Sequence, residues 1–66
     1  MKNKLKVLRA ERNLTQEELA EISGLSRATV NAIENETVNP SGETIAKLTK
    51  ALKVRAEEIF FELNVV

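Results

Sequence analysis

The chain has 66 residues, ten Lys or Arg, ten Glu and a formal net charge of zero. It contains no cysteine and no histidine, which removes disulfides, thiolate metal sites and the commonest general base. A length of this order supports one domain, taken here as residues 1–66, with a small core.

The first twelve residues carry Lys2, Lys4, Lys6, Arg9 and Arg12 against Glu11. Leu5, Leu8 and Arg12 fall at helical spacing with Val7 beside them, so a first helix is predicted from about Lys2 to Arg12. Asn13 is a natural stop, because asparagine tolerates the left-handed region at a helix end. Thr15, with Glu18 three residues on, is a capping box. It opens a second helix over Gln16–Ser23, with Leu19 and Ile22 as its apolar positions and Ala20 as a small one. Gly24 ends it, since a positive φ is cheap only for glycine.

Ser26 caps a third helix, Arg27 to about Asn35, on which Val30 and Ile33 share a face. Asn39-Pro40 imposes an extended step. Ser41 then caps a fourth helix, Gly42–Leu52, whose Ile45, Leu48, Thr49 and Leu52 follow i, i+3, i+4, i+7. A short fifth helix is expected from Arg55 to Phe60, with Glu57 and Glu58 in its first turn, where the helix dipole favours them. Residues 61–66 alternate partly and contain β-branched residues. They read either as a strand pairing with Met1–Lys4 or as an apolar tail. The fold class is all-α: five helices, with a short C-terminal strand or extended tail.

The stretch Gln16–Asn35 has the spacing of a helix-turn-helix, which lays its second helix in the major groove of DNA. Ala20 allows close crossing, Gly24 the turn, and Leu25 plugs it. If Val30 and Ile33 are buried, the 3.6-residue period turns Ala28, Asn31, Ala32 and Asn35 outward, with Arg27 beside them. An arginine there can take guanine bidentately or reach phosphate, and Asn31 can read adenine. Ala28, Ala32 or the Thr29 methyl can meet a thymine methyl. The helix start at Ser26–Arg27 adds backbone donors for phosphate.

The runs LKVLRAERNLTQEELAEISGLSRATVNAIEN, NPSGETIAKLTKALKV and EEIF resemble the lambda-repressor-like, or Cro/Xre-type, helix-turn-helix family over nearly the whole chain. The resemblance implies five helices, double-stranded DNA as partner, and a stand-alone transcriptional regulator that binds a palindromic operator as a homodimer. It implies that Gln16 contacts phosphate and braces the recognition helix, about residues 27–35. It places Ser26, Arg27, Ala28, Asn31 and Ala32 toward bases or phosphates, and Asn35, Asn39 and Ser41 in a phosphate-contacting loop. It pairs Arg9 with Glu34 as a brace between the first and third helices. The helical wheel independently puts Glu34 at the buried border, where an unpaired carboxylate is costly.

Four positions depart from the family: Glu36 and Thr37, where glycine and a basic residue are common, Lys53 in place of a glycine, and Gly42 in place of an apolar residue. Glu36 brings negative charge near the expected phosphate path. With zero net charge, it motivates a second reading, a protein-interaction module of the same fold, such as an antitoxin-like partner.

An enzyme is not expected, because the carboxylates at Glu17, Glu18 and Glu21 lie on one exposed helix face with no nucleophile–base pair. No cofactor, metal site or small-molecule ligand is indicated. The N-terminus lacks the apolar core of a signal peptide, no apolar run is long enough to span a bilayer, and the expected location is the cytoplasm. Phe61, Leu63, Val65 and Val66 lie beyond the expected core and are candidates for the dimer interface.

Overall fold

A computed structural model describes residues 1–61. Five helices follow in order: α1 Leu5–Glu11, α2 Gln16–Ser23, α3 Arg27–Glu34, α4 Gly42–Leu52 and α5 Ala56–Ile59. The predicted starts of α2, α3 and α4 coincide with their caps. Thr15 and Glu18 form the reciprocal capping box, and the Ser26 and Ser41 hydroxyls accept from the backbone N–H groups of Thr29 and Thr44. Each cap satisfies a donor that the first helical turn leaves without a partner.

The core joins all five helices. Leu5 and Leu8 of α1, Leu19 and Ala20 of α2, Val30 and Ile33 of α3, Leu48 and Leu52 of α4, and Ile59 with Phe60 are buried together. Leu14 in the α1–α2 turn and Leu25 in the α2–α3 turn pack against its rim. Ala20 lies in the buried face of α2, where a small side chain lets α3 approach.

Of the two apolar positions on α2, Leu19 is buried and Ile22 is 53% exposed. At 100° per residue, Leu19, Ala20 and Ser23 define one arc of α2, and Ile22 falls outside it. The buried polar position is Ser23, whose Oγ donates to the Leu19 carbonyl at 2.7 Å. The first helix begins at Leu5, not Lys2, because the preceding residues are committed elsewhere. Asn3 forms an antiparallel bridge with Phe60. The Lys4 N–H donates to the Ile59 carbonyl at 2.9 Å, and the Phe61 N–H to the Lys2 carbonyl at 3.3 Å. The same pairing ends α5 at Ile59, with Phe60 extended. N-terminal residues therefore do meet the segment after α5, in a single bridge; the tail positions Leu63, Val65 and Val66 lie outside the described residues.

Four helices end in one backbone device. Asn13, Gly24, Glu36 and Lys53 have φ of 55°, 74°, 61° and 58°. The residue after each donates to a carbonyl five positions back: Leu14 to Arg9, Leu25 to Ala20, Thr37 to Ala32, Val54 to Thr49. This left-handed closure satisfies carbonyls that a helix end leaves open. It suits glycine and asparagine; at Glu36 and Lys53 a Cβ occupies a region that costs about 1–2 kcal/mol for ordinary residues.

Because of that strain, Glu36→Gly and Lys53→Gly are each expected to stabilise the fold by about 0.5–1 kcal/mol, glycine's larger unfolded-state entropy offsetting part of the relief. Urea unfolding midpoints measure this; an unchanged or lower midpoint would show that the left-handed backbone is not strained there.

Candidate nucleic-acid interface

The third helix is two-faced. Val30 and Ile33 are 0% and 1% exposed. Arg27, Ala28, Asn31 and Asn35 are exposed, and Thr29 and Ala32 are half-buried. Ala28, Asn31, Ala32 and Asn35 are spaced i, i+3, i+4, i+7 and form one outward strip of short side chains. α2 crosses behind α3, with Gly24 at φ 74° making the turn between them. Such a strip allows close approach of a helix to base edges, and Arg27 adds a long planar donor at its N-terminal end.

Beneath the strip lies a polar network. Arg9 Nε donates to Glu34 Oε2 at 2.7 Å and Arg9 Nη2 to Glu34 Oε1 at 3.3 Å, a two-pronged pair. Its side chains are 16% and 3% exposed. Arg9 Nη1 donates to the Leu14 carbonyl at 2.8 Å, fixing the α1–α2 turn to the same guanidinium. Gln16, at the first position of α2, donates from Nε2 to Glu34 Oε1 at 3.0 Å and to Asn31 Oδ1 at 3.2 Å. One carboxylate thus joins α1, α2 and α3 immediately behind the outward face.

Burial pushes the Glu34 carboxyl up, but hydrogen bonds from Arg9 and Gln16 and the charges of Arg9 and Lys6 outweigh it, holding the group below its ordinary value of 4.5. The hydrogen bond to Glu34 raises Arg9 above its usual range, against desolvation.

The other residues singled out in the sequence are placed as follows. Ser26 Oγ accepts from the Thr29 N–H and also donates to Thr29 Oγ1 at 2.8 Å. Ser41 repeats this with Thr44, donating to its Oγ1 at 3.1 Å. Both serine hydroxyl protons are engaged within the chain, so the donors left at these helix starts are backbone N–H groups and the hydroxyls of Thr29 and Thr44. Asn35 is exposed at the end of α3. Asn39 accepts at Oδ1 from the terminal ammonium of Met1 at 3.2 Å. A shallow cleft between the α1–α2 turn and the start of α3 is lined by Asn13, Thr15, Gln16, Glu17 and Arg27, among others. Phe61 is 57% exposed.

Two supporting residues were not assigned a role from the sequence. Asn3 Nδ2 donates to the Ile33 carbonyl at 2.8 Å, and its Oδ1 accepts from the Leu5 N–H at 3.0 Å, so it starts α1 and ties it to the end of α3. Arg12 donates to the Leu8 carbonyl and, through Nη2 at 3.1 Å, to the Leu52 carbonyl, closing the C-terminal end of α4 with positive charge. Asparagine just ahead of an apolar-periodic run is the one local signal for the first; the second has none. Among the described residues no cluster of acidic side chains is arranged to hold a metal ion, and no helix is long and apolar enough to cross a membrane.

Two adjacent short helices, the second buried on one side and short-chained on the other, define a DNA-binding helix-turn-helix. A helix-turn-helix family model matches residues 5–59. An uncharacterised HTH-type transcriptional regulator of Methanocaldococcus jannaschii is 50% identical over 60 residues, covering 91% of each chain. The HTH-type transcriptional repressor RghR of Bacillus subtilis is 40% identical over 63 residues, 94% of this chain and 47% of that longer protein. The crystal structure of the restriction-modification controller protein C.AhdI from Aeromonas hydrophila superposes with a TM-score of 0.78 at 41% identity, covering 82% of each chain. The chain belongs to the Cro/Xre-type helix-turn-helix family of DNA-binding transcriptional regulators, a non-enzymatic family.

A depressed carboxyl gives the fold a pH dependence of known sign. Glu34 contributes fully above its unfolded value near 4.5, and the contribution is lost as pH falls through the lower folded value. Glu34→Ala should cost about 3 kcal/mol at pH 7 by leaving Arg9 unpaired, and should flatten the acid limb of stability against pH. Denaturant titrations from pH 7 to pH 2 test this; an acid limb identical in wild type and variant would contradict it.

Proposed function

We infer that this regulator is a repressor that binds a palindromic operator as a homodimer, with α3 in the major groove. The observation that carries the reading is the outward strip of Ala28, Asn31, Ala32 and Asn35 with Arg27 at its head, set on a buried face and braced from behind by Glu34. In this reading Arg27 takes a guanine or a phosphate, and Asn31 takes an adenine edge. Ala28, Ala32 and the Thr29 methyl group meet apolar base surface. Backbone donors at Ser26 and Ser41, together with Asn35 and Asn39, follow the phosphates. The name of the RghR repressor supports the sign of regulation.

One recognition helix reads only a few base pairs, and a two-fold dimer doubles the sequence read. We assign the dimer contact to the end of α5 and the residues after it, through Phe61, Leu63, Val65 and Val66. The 57% exposure of Phe61 supports it. The repressor then acts sterically, by occupying an operator that polymerase must cross.

Selection of bound duplexes from a random library should return a two-fold symmetric sequence, with half-site centres about 34–36 Å apart or a multiple of that. Binding should weaken steeply with salt. No affinity at low salt for any selected duplex would overturn the reading in favour of the interaction module. On the selected site, Arg27→Ala should cost about 1–3 kcal/mol with relaxed preference at one position; an equal loss on every sequence would make Arg27 a phosphate ligand.

Truncation after Phe60 should convert the dimer to a monomer in sedimentation. An undiminished dimer would rule out the tail as the interface.

A further inference from the structure

The hydrogen bonds behind α3 have a fixed direction. An ionised carboxylate only accepts, and Glu34 is held below its ordinary value. The side chain of Gln16 must therefore turn its NH2 group, not its oxygen, toward Glu34 Oε1 at 3.0 Å. The second hydrogen of that same NH2 group meets Asn31 at 3.2 Å, so the atom of Asn31 on this side is its oxygen. Both Gln16 side-chain hydrogens are then used within the chain. The Asn31 NH2 group is left facing away from Gln16, beside the remaining acceptor capacity of Oδ1. That ordered pair, one acceptor and one donor, is complementary to N6 and N7 of adenine.

We propose that Glu34 and Gln16 are positioning residues for base selection: the buried carboxylate, through Gln16, locks the amide of the exposed Asn31 in one orientation, and Gln16 is not a side-chain phosphate ligand. This deepens, and rests on, the major-groove reading of α3. A phosphate needs a donor, and the free polar atom of Gln16 is its carbonyl oxygen. The buried Arg9–Glu34 pair thereby acts on sequence preference without itself touching a base.

The test uses the whole chain and two variants, with duplexes obtained by selection on the wild type. Glu34→Gln keeps the shape and an acceptor for Arg9 but also offers a donor, so the Gln16 and Asn31 amides are free to invert. Gln16→Met keeps the bulk and removes both donors from a surface position. Each variant should lose about tenfold of the preference for the favoured base at one position per half-site, while affinity for an unrelated duplex stays unchanged. Asn31→Asp still accepts from Gln16 but presents no donor outward, and should move the preference at that same position toward cytosine.

A uniform loss on all duplexes with Gln16→Met would overturn the proposal by making Gln16 a phosphate ligand. Unchanged base preference in Glu34→Gln would equally overturn it. Either result leaves the major-groove reading standing, whereas absence of wild-type binding to any duplex would remove both.

Discussion

The Arg9–Glu34 pair is the interaction on which the rest of the structure depends. A carboxylate 3% exposed is tolerable only with its lone pairs engaged, and the partners that engage it come from two other helices. Arg9 reaches it from α1 and Gln16 from α2, while Glu34 itself closes α3. The angle between α2 and α3, and hence the presentation of the outward strip, is set by apolar packing around Ala20, Val30 and Ile33. The carboxylate network then fixes how the polar residues at the edge of that packing are turned. Hydrophobic burial supplies most of the stability and has no direction; the ion pair supplies the direction.

The same division explains how a chain of net charge zero can serve a polyanionic partner. Exposed charges more than a Debye length of about 8 Å from a contact are screened, so local sign governs it. On the α3 face the exposed charge is Arg27, and the Glu34 carboxylate behind it is neutralised by Arg9. Glu36 is the exception. It lies just past α3, in a left-handed conformation that glycine would adopt more cheaply. Strain and negative charge thus coincide at the end of α3.

Much of the fold was legible because it is written in local rules. Thr15, Ser26 and Ser41 mark helix starts by side-chain hydrogen bonds to the residue three positions on, and Gly24 marks a helix end by a left-handed backbone; each does so in the structure. The two-sidedness of α3 followed from Val30 and Ile33 alone. A three-residue spacing from Leu19 fits an arc on either side of it, and only the packing of Ser23 decides that Ile22 lies outside the buried one. The roles of Asn3 and Arg12 depend on carbonyls 30 and 40 residues away, a proximity that no local pattern encodes. The direction of the Gln16–Asn31 hydrogen bond likewise became readable only once Glu34 was seen beside it.

The most direct measurement is a double-mutant cycle on Arg9 and Glu34, using Arg9→Met, Glu34→Leu and the pair. It should be read both as unfolding free energy and as affinity for a selected duplex. A keystone pair predicts strong coupling in stability, of about 1–3 kcal/mol. In binding, either single change should cost most of what the double change costs. Additive effects in both readouts would contradict the account, since Arg9 and Glu34 would then be independent surface residues, not one joint.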